Sequence, residues 1–385
     1  MLRGRGKHEY NWISMKVVLI HITGLGGTQL YNAQLTNALS KEGNEVVVLL
    51  GDYLHNELHY PDKSVKIIRL RTAPSYLRML VNAINPLMYH RILKMIEKED
   101  PDVIHATFED PMVGTILYLC KMKGKYPLFV TEHDPSFHAG EKPLTRLNFW
   151  ICRLMTRRVA DVIFVHGHQQ KEVLESQGFP GDKIRIVKHG DYSYYTRWKG
   201  KDETIEKSIL FFGSIQYYKG ISYLIEAVPK IISAIPEVKV VIAGQGDLSK
   251  YKESLADTKH YEVHNRFIPD EEVAVFFQRA ALVVLPYVDG SQSGIVPIAY
   301  AFKKPVVVTD VGSIPEVVDD GKTGIIVPPK NPDLLAEAII MLLRDSQLLE
   351  QMGQNAYDKM KAELSWDNIA SEITQVYRDI SVRKM

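Results

Sequence analysis

The chain has 385 residues, and its 47 Lys and Arg nearly balance its 46 Asp and Glu, for a formal charge of +1. That balance argues against nucleic acid as a partner, and 45% hydrophobic with 24% charged residues excludes disordered, collagen-like and coiled-coil chains. Cys120 and Cys152 belong to no C-x-x-C pair, which excludes a disulfide framework or a thiolate zinc site and fits a reducing compartment.

In chain order, Met1–Ser14 is basic and polar and lacks the apolar stretch of a signal peptide. The apolar runs are strand-length, short of a membrane span, so a soluble or at most surface-bound protein is expected. The first strand, Lys16–Ile22, runs into Thr23-Gly24-Leu25-Gly26-Gly27-Thr28 and a helix, Thr28–Lys41. Glycines there let backbone approach a ligand, and a helix start offers free N–H groups to an anion. An ordinary tight turn would read the same. The dinucleotide fingerprint fails because Gln29 stands where its third glycine belongs, and the phosphate-loop Lys-Ser/Thr is missing.

Strands are expected at Glu45–Leu50, Lys66–Arg71, Asp102–Thr107, Leu128–His133, Asp161–His166 and Lys183–Lys188, with helices at Tyr76–Glu97 and Leu144–Val159. Asp100-Pro101-Asp102 has the D-x-D form of a metal-binding pair, but it precedes its strand and reads as a helix stop. His133 ends a strand and would point beyond it, while Glu132 alternates away. No carboxylate with ligand spacing accompanies His133, His166, His168 or His189, so no metal is expected. The helix within 144–158 mixes Leu147, Trp150, Ile151 and Leu154 with Arg146, Arg153, Arg157 and Arg158. That mixture suits the headgroup layer of an anionic bilayer. The alternative is an apolar stripe packed on the sheet with its arginines solvated.

The alternation breaks once, at Asp191–Lys207, a polar stretch without period that reads as a linker. It resumes with strands Ser208–Gly213, Lys239–Gly244, Ala281–Pro286, Pro305–Thr309 and Gly324–Val327 and ends in helices Pro332–Leu343, Gln347–Leu364 and Trp366–Ile380. Ser365 reads as the N-cap of the last helix. The break disfavours one eight-fold barrel. The fold class is therefore α/β, with two Rossmann-like doubly wound domains facing across a cleft. The expected boundaries are 15–190, a linker 191–207, a second domain 208–365, and a final helix 366–385 returning to the first. Lys219-Gly220 precede a helix, where a lysine can neutralise a phosphate leaving group, although a surface lysine reads alike. Tyr287–Gly294 forms a second anion-ready loop before the helical run IVPIAYAF, or else a plain capping loop.

Taken together, these pieces resemble the family-four group of retaining glycosyltransferases with the two-domain GT-B architecture, from Met15 to the last helix. They are GLGGTQ at Gly24–Gln29, FFGSIQYYKG at Phe211–Gly220, IAGQGD at Ile242–Asp247, QSGIVPIAYAFKKPVVVTDVGSIPE at Gln292–Glu316 and DDGKTGIIVPP at Asp319–Pro329. The resemblance implies a UDP- or GDP-linked sugar donor held mainly by the second domain and an acceptor held mainly by the first. It implies no metal and no cofactor, the nucleotide sugar entering as substrate. Lys219 and His133 are the expected catalytic residues. Gly26, Gly27, Thr28, Gly213, Ser214, Gln292, Ser293, Gly294 and Ile295 are expected on the donor, with the base near Ile268. Two departures stand out. Ser214 replaces the family's arginine, and Ser291 and Ala299 replace its two glutamates, the second of which normally holds the ribose. The expected function is metal-independent, retaining transfer to a glycan, lipid-linked or small-molecule acceptor. The location expected is cytoplasmic, with possible peripheral membrane contact through 144–158. The alternative is a degenerate subunit that binds a nucleotide sugar without turnover.

Overall fold

The computed structural model describes residues 14–23, 26–52, 54, 60, 63–72, 85–137, 143–200 and 207–384. Gly24 and Leu25 of the first glycine loop, the expected helix start at Tyr76, and 201–206 of the expected linker lie outside the described residues. Near-continuous Val, Ile and Leu runs, buried on both faces, form two parallel sheets. The first contains β1 (Lys16–His21), β2 (Glu45–Gly51), β3 (Lys66–Leu70), β4 (Val103–Ala106), β5 (Leu128–Thr131), β6 (Val162–Val165) and β7 (Ile184–Ile186). Its order is β3-β2-β1-β4-β5-β6-β7. The second contains β8 (Ser208–Phe212), β9 (Lys239–Ala243), β10 (Tyr261–His264), β11 (Leu282–Leu285), β12 (Val306–Thr309) and β13 (Gly324–Val327), in the order β10-β9-β8-β11-β12-β13. Strand β10 has no counterpart among the sequence expectations. It is an edge strand with one of its four residues buried, so its apolar signal is weak.

The period of two along β1 sends Val18 and Ile20 to one core and Val17 and Leu19 to the other. The first core is covered by α2 (Pro86–Glu99) and α3 (Pro111–Lys123), the second by α1 (Gly27–Lys41) and α11 (Trp366–Lys384). Asn85-Pro86 and Asp110-Pro111 start α2 and α3. In each the side chain caps the helix, and the proline sits where no N–H partner is needed. The remaining helices of the first half are α4 (Pro143–Val159) and α5 (His168–Ser176). In the second half, α6 (Ile221–Ala234) and α9 (Pro332–Arg344) cover one sheet face. The other face carries α7 (Asp270–Arg279), α8 (Ile295–Ala301) and α10 (Ser346–Glu363).

Two chain crossings join the halves. The first is the stretch expected as a linker. It contains a 3-10 turn, Ser193–Trp198, and Tyr192, Tyr194 and Tyr195 are buried in the core of the second half. The second is α11, whose Trp366, Ile369, Ala370, Ile373 and Tyr377 pack on the first sheet. The two chain crossings touch: Asp191 N donates to Leu364 O at 2.8 Å, and Trp366 Nε1 donates to Asp191 O at 2.8 Å.

Candidate active site

Parallel strands deliver their following loops to one edge of a sheet, and here the two edges face each other. Between them lies a cavity of about 500 Å³. Its lining includes Gly27 and Thr28 from the first loop, His133 and Asp134 after β5, and His189 after β7. Across from these stand Ser214 and Lys219 after β8, and Tyr287, Gly290, Gln292, Ser293, Gly294 and Ile295 after β11. Of the expected residues, Gly26 and Gly213 sit beside the lining rather than in it. Ile268 is buried in the core of the second half and does not line the cavity.

Lys219 ends a 3-10 turn, Tyr217–Lys219, and its ammonium folds back over the end of β8. A side chain on Gly213, which has φ 107°, would begin 3.1 Å from Lys219 Nζ. The same Nζ stands 5.5 Å from the centroid of the Tyr287 ring. Lys219 is the single Lys or Arg among the described residues that line the cavity. Ser214, where the family's arginine would stand, is exposed at the cavity rim. Ala299 is fully buried in the core, so no side chain reaches a ribose from that position.

The loop after β11 holds polar atoms in waiting. Ser291 Oγ and Gln292 Oε1 are buried without a hydrogen-bond partner. Such an atom costs about 1–3 kcal/mol until a partner arrives. Ser293 Oγ accepts from Ile295 N at 3.3 Å and contacts Tyr287 Oη at 3.3 Å. The sequence reading missed Tyr192, which spans the cleft. Its hydroxyl donates to Gly27 O at 3.3 Å, and a side chain on Gly294 would begin 2.9 Å from its ring. The two glycine loops therefore close on Tyr192 as well as on any ligand. The available signal was aromatic density: Tyr192, Tyr194, Tyr195 and Trp198 crowd a stretch otherwise read as a linker.

Three buried histidines follow three adjacent strands: His133 after β5, His166 after β6 and His189 after β7. His133 Nε2 contacts Thr107 O at 3.1 Å, and His133 Nδ1 contacts His166 Nε2 at 2.9 Å. His166 Nδ1 contacts Val187 O at 3.0 Å, and His189 Nδ1 contacts Gly190 O at 3.2 Å. Burial lowers the pKa of all three rings, that of His189 to about 3. Their ligand atoms lie within 4.8 Å of one another, but 2.9 Å is a hydrogen-bond distance. Two nitrogens on one tetrahedral zinc would stand about 3.4 Å apart, given Zn–N near 2.0–2.1 Å. Both ring nitrogens of His133 are engaged, so His133 has no N–H left for a sugar hydroxyl.

Glu132 faces away from the cavity, as alternation requires. It is fully buried and gripped by two Arg157 nitrogens, with Arg153 Nε at 3.7 Å. Glu109 lies beside the same pair, 3.9 Å from Arg153 Nε, and burial and then Glu132 raise its pKa well above the usual carboxylate range. This overturns the alternative layout of α4, in which the apolar stripe packs on the sheet and the arginines are solvated. Arg153 and Arg157 point inward, while Leu147, Trp150, Ile151 and Leu154 are exposed, Trp150 by 53%. The expectation that Arg157 is a surface contact is therefore corrected: its charge is committed to a buried carboxylate. Arg146 and Arg158 remain exposed. At the opposite edge of the sheet, Asp102 Oδ2 accepts from Lys16 N at 2.7 Å and Asp100 pairs with Lys125 at 2.6 Å, far from the cavity loops.

The profile of the family described as Glycosyl transferases group 1 matches residues 196–359, and that of Glycosyltransferase Family 4 matches 25–190. The chain is 29% identical over 376 residues to an uncharacterized glycosyltransferase of Methanocaldococcus jannaschii, covering 92% of this chain and 94% of that one. It is 27% identical over 367 residues to a phosphatidyl-myo-inositol mannosyltransferase of Mycolicibacterium smegmatis, covering 92% and 91%. In fold it is similar to sucrose-phosphate synthase from Thermosynechococcus elongatus, with a TM-score of 0.75 at 19% identity over 96% of this chain and 100% of that one. It is also similar to Anabaena HepE in complex with UDP-glucose, with a TM-score of 0.73 at 16% identity over 95% and 100%.

Proposed function

The chain belongs to the Glycosyl transferases group 1 family and is a glycosyltransferase, and on that premise we propose that it uses a nucleotide diphosphate sugar, retains the anomeric configuration and needs no metal. The observation that carries the donor class is Lys219, the single Lys or Arg among the described residues that line the cavity, set beside the glycine loop after β11 and across from the one after β1. The bond from the sugar C1 to the diphosphate oxygen breaks, and negative charge grows on that oxygen. Lys219 and the backbone N–H groups of both loops stabilise it. A bond forms from the acceptor oxygen to C1 on the same face, and the acceptor's proton passes to the departing phosphate oxygen. Among the described residues Asp134 is the one carboxylate of the lining, short of the pair that usually holds a divalent ion, which supports the metal-free reading. Gln292, which lines the cavity and has an orphaned polar atom, fits a donor contact where the family's glutamates are absent.

For the acceptor, the relatives named phosphatidyl-myo-inositol mannosyltransferases and the exposed apolar face of α4 together support a lipid-borne polyol or sugar at a membrane surface. Among the described residues no helix is long and apolar enough to cross a membrane. That fits peripheral attachment.

The test is incubation of the protein with UDP- and GDP-linked sugars, with and without excess EDTA. Donor cleavage or transfer that survives EDTA, with an unchanged anomer by proton NMR, is expected. Binding without turnover points to the degenerate subunit. Loss in EDTA with recovery in Mn²⁺ overturns the metal-free mechanism.

A further inference from the structure

Thr107 O, His133, His166 and Val187 O form one unbroken chain of contacts at 3.1, 2.9 and 3.0 Å. Each end is a backbone carbonyl, which only accepts. Each of the three contacts therefore needs one hydrogen. Two neutral imidazoles carry one N–H each, so together they supply two. The chain is complete only when the pair holds a third proton and one net positive charge. A neutral pair leaves two lone pairs facing each other at one of the three contacts.

We infer that His133 and His166 take up and share one proton when a nucleotide diphosphate sugar enters the cavity, and this rests on the donor class proposed above. His133 lines the cavity, and both its nitrogens are engaged, so it offers the diphosphate its charge and not a hydrogen bond. His166 is then a positioning residue: it does not line the cavity, and it acts through His133. By itself, burial pushes both rings toward the neutral form. The two fixed negative charges of a bound diphosphate oppose that bias. The groups facing the pair are few. Tyr31 of α1 sets its ring edge against both histidines, at 4.7 and 5.3 Å between centroids. His189 approaches from the loop after β7, His105 from β4, Asp134 from the same loop as His133, and Lys219 from across the cavity. Among the described residues Asp134 is the one carboxylate that favours the charged pair from the cavity side, and burial pushes His105, like His189, down to about 3, so both are neutral near pH 7.

The sign follows from linkage. The complex binds more protons than the free protein, so affinity is fully present below the free-state pKa of the pair and declines as pH rises toward its bound-state pKa. Titration calorimetry on the full chain with UDP-glucose and with GDP-mannose tests this, because their diphosphate diesters do not ionise near neutrality. Run at pH 7.5 in buffers of different ionisation enthalpy, it should show uptake of between about half and one proton per ligand, with the association constant falling up to about tenfold per pH unit. Heat independent of buffer overturns the inference while leaving the donor class intact. No binding of either nucleotide sugar overturns the donor class, and the inference with it. In His166→Gln the amide N–H can donate to His133 Nδ1 without an added proton, so uptake should fall to near zero while binding persists. Uptake unchanged in that variant places the proton elsewhere and overturns the inference. Wild-type ¹⁵N-histidine NMR reads the same event without a variant: one imidazolium signature should appear on saturation with ligand. Its absence, or one zinc per chain in the purified protein, would count against a shared proton.

Discussion

Lys219 owes its place to the turn that carries it. Tyr217–Lys219 is a single 3-10 turn after β8, and it brings the ammonium back to within 3.1 Å of where a Gly213 side chain would begin. With Ser214 in place of an arginine, no second Lys or Arg among the described lining residues shares its task. Lys219→Ala should therefore lower kcat by about 10²–10³, because the lost contact acts on charge that appears in the transition state. The donor KM should move by less than about threefold, since the glycine loops remain. Steady-state kinetics against donor concentration separates the two parameters. A variant within twofold of wild type in kcat would remove Lys219 from the reaction.

Helix α4 shows how one element serves two surfaces. Its inward side carries Arg153 and Arg157, which pair with Glu132 and lie beside Glu109 beneath it. Removing one partner of a buried ion pair strands the other, so Arg157→Ala should destabilise the fold by about 3–5 kcal/mol, read by urea unfolding. The outward side carries Leu147, Trp150, Ile151 and Leu154, flanked by the exposed Arg146 and Arg158. Neighbouring exposed apolar side chains on one helix face mark a contact surface. Flotation should show the protein on anionic liposomes at low salt and less of it at high salt, as screening weakens the arginines. Trp150→Glu with Leu154→Glu should abolish flotation and leave unfolding unchanged, because both side chains are already exposed. Flotation that survives this double change would put the membrane contact elsewhere.

At the scale of the whole molecule, the halves are joined at their crossings and latched at their edges. The crossings meet at Asp191, Leu364 and Trp366, where two hydrogen bonds of 2.8 Å tie them. The latch is Glu316, from the second half, which accepts from His168 N at 2.8 Å and Gln169 N at 3.1 Å. These are free N–H groups at the start of α5, where a carboxylate is favoured by the helix dipole. Glu316→Ala should cost the closed arrangement about 1–2 kcal/mol and shift it toward an open one. Solution X-ray scattering should then show a larger radius of gyration, and kcat/KM for the donor should fall about tenfold. An unchanged radius of gyration would mean that Glu316 latches nothing in solution.

Most of the fold was legible because parallel strands buried on both faces leave a near-continuous apolar run, as in Val17–Ile20 and Val306–Val308. The same regularity places every following loop at one sheet edge, so Gly27, His133, Lys219 and Gln292 could be assigned to one cleft from order alone. Strand β10 and the buried tyrosines of the crossing segment were not legible, since an edge strand and an aromatic strut have no period. Nor did composition say which side of α4 turns inward. That was decided by Glu109 and Glu132, which arrive from β4 and β5 and draw Arg153 and Arg157 beneath the helix. The joining of His133 to His166 also depends on tertiary structure, because they are 33 residues apart. Sequence periodicity determines which residues are buried and at which sheet edge a loop emerges. Which side chains then meet there depends on contacts between elements distant in the chain, and those exist only once the sheets have formed.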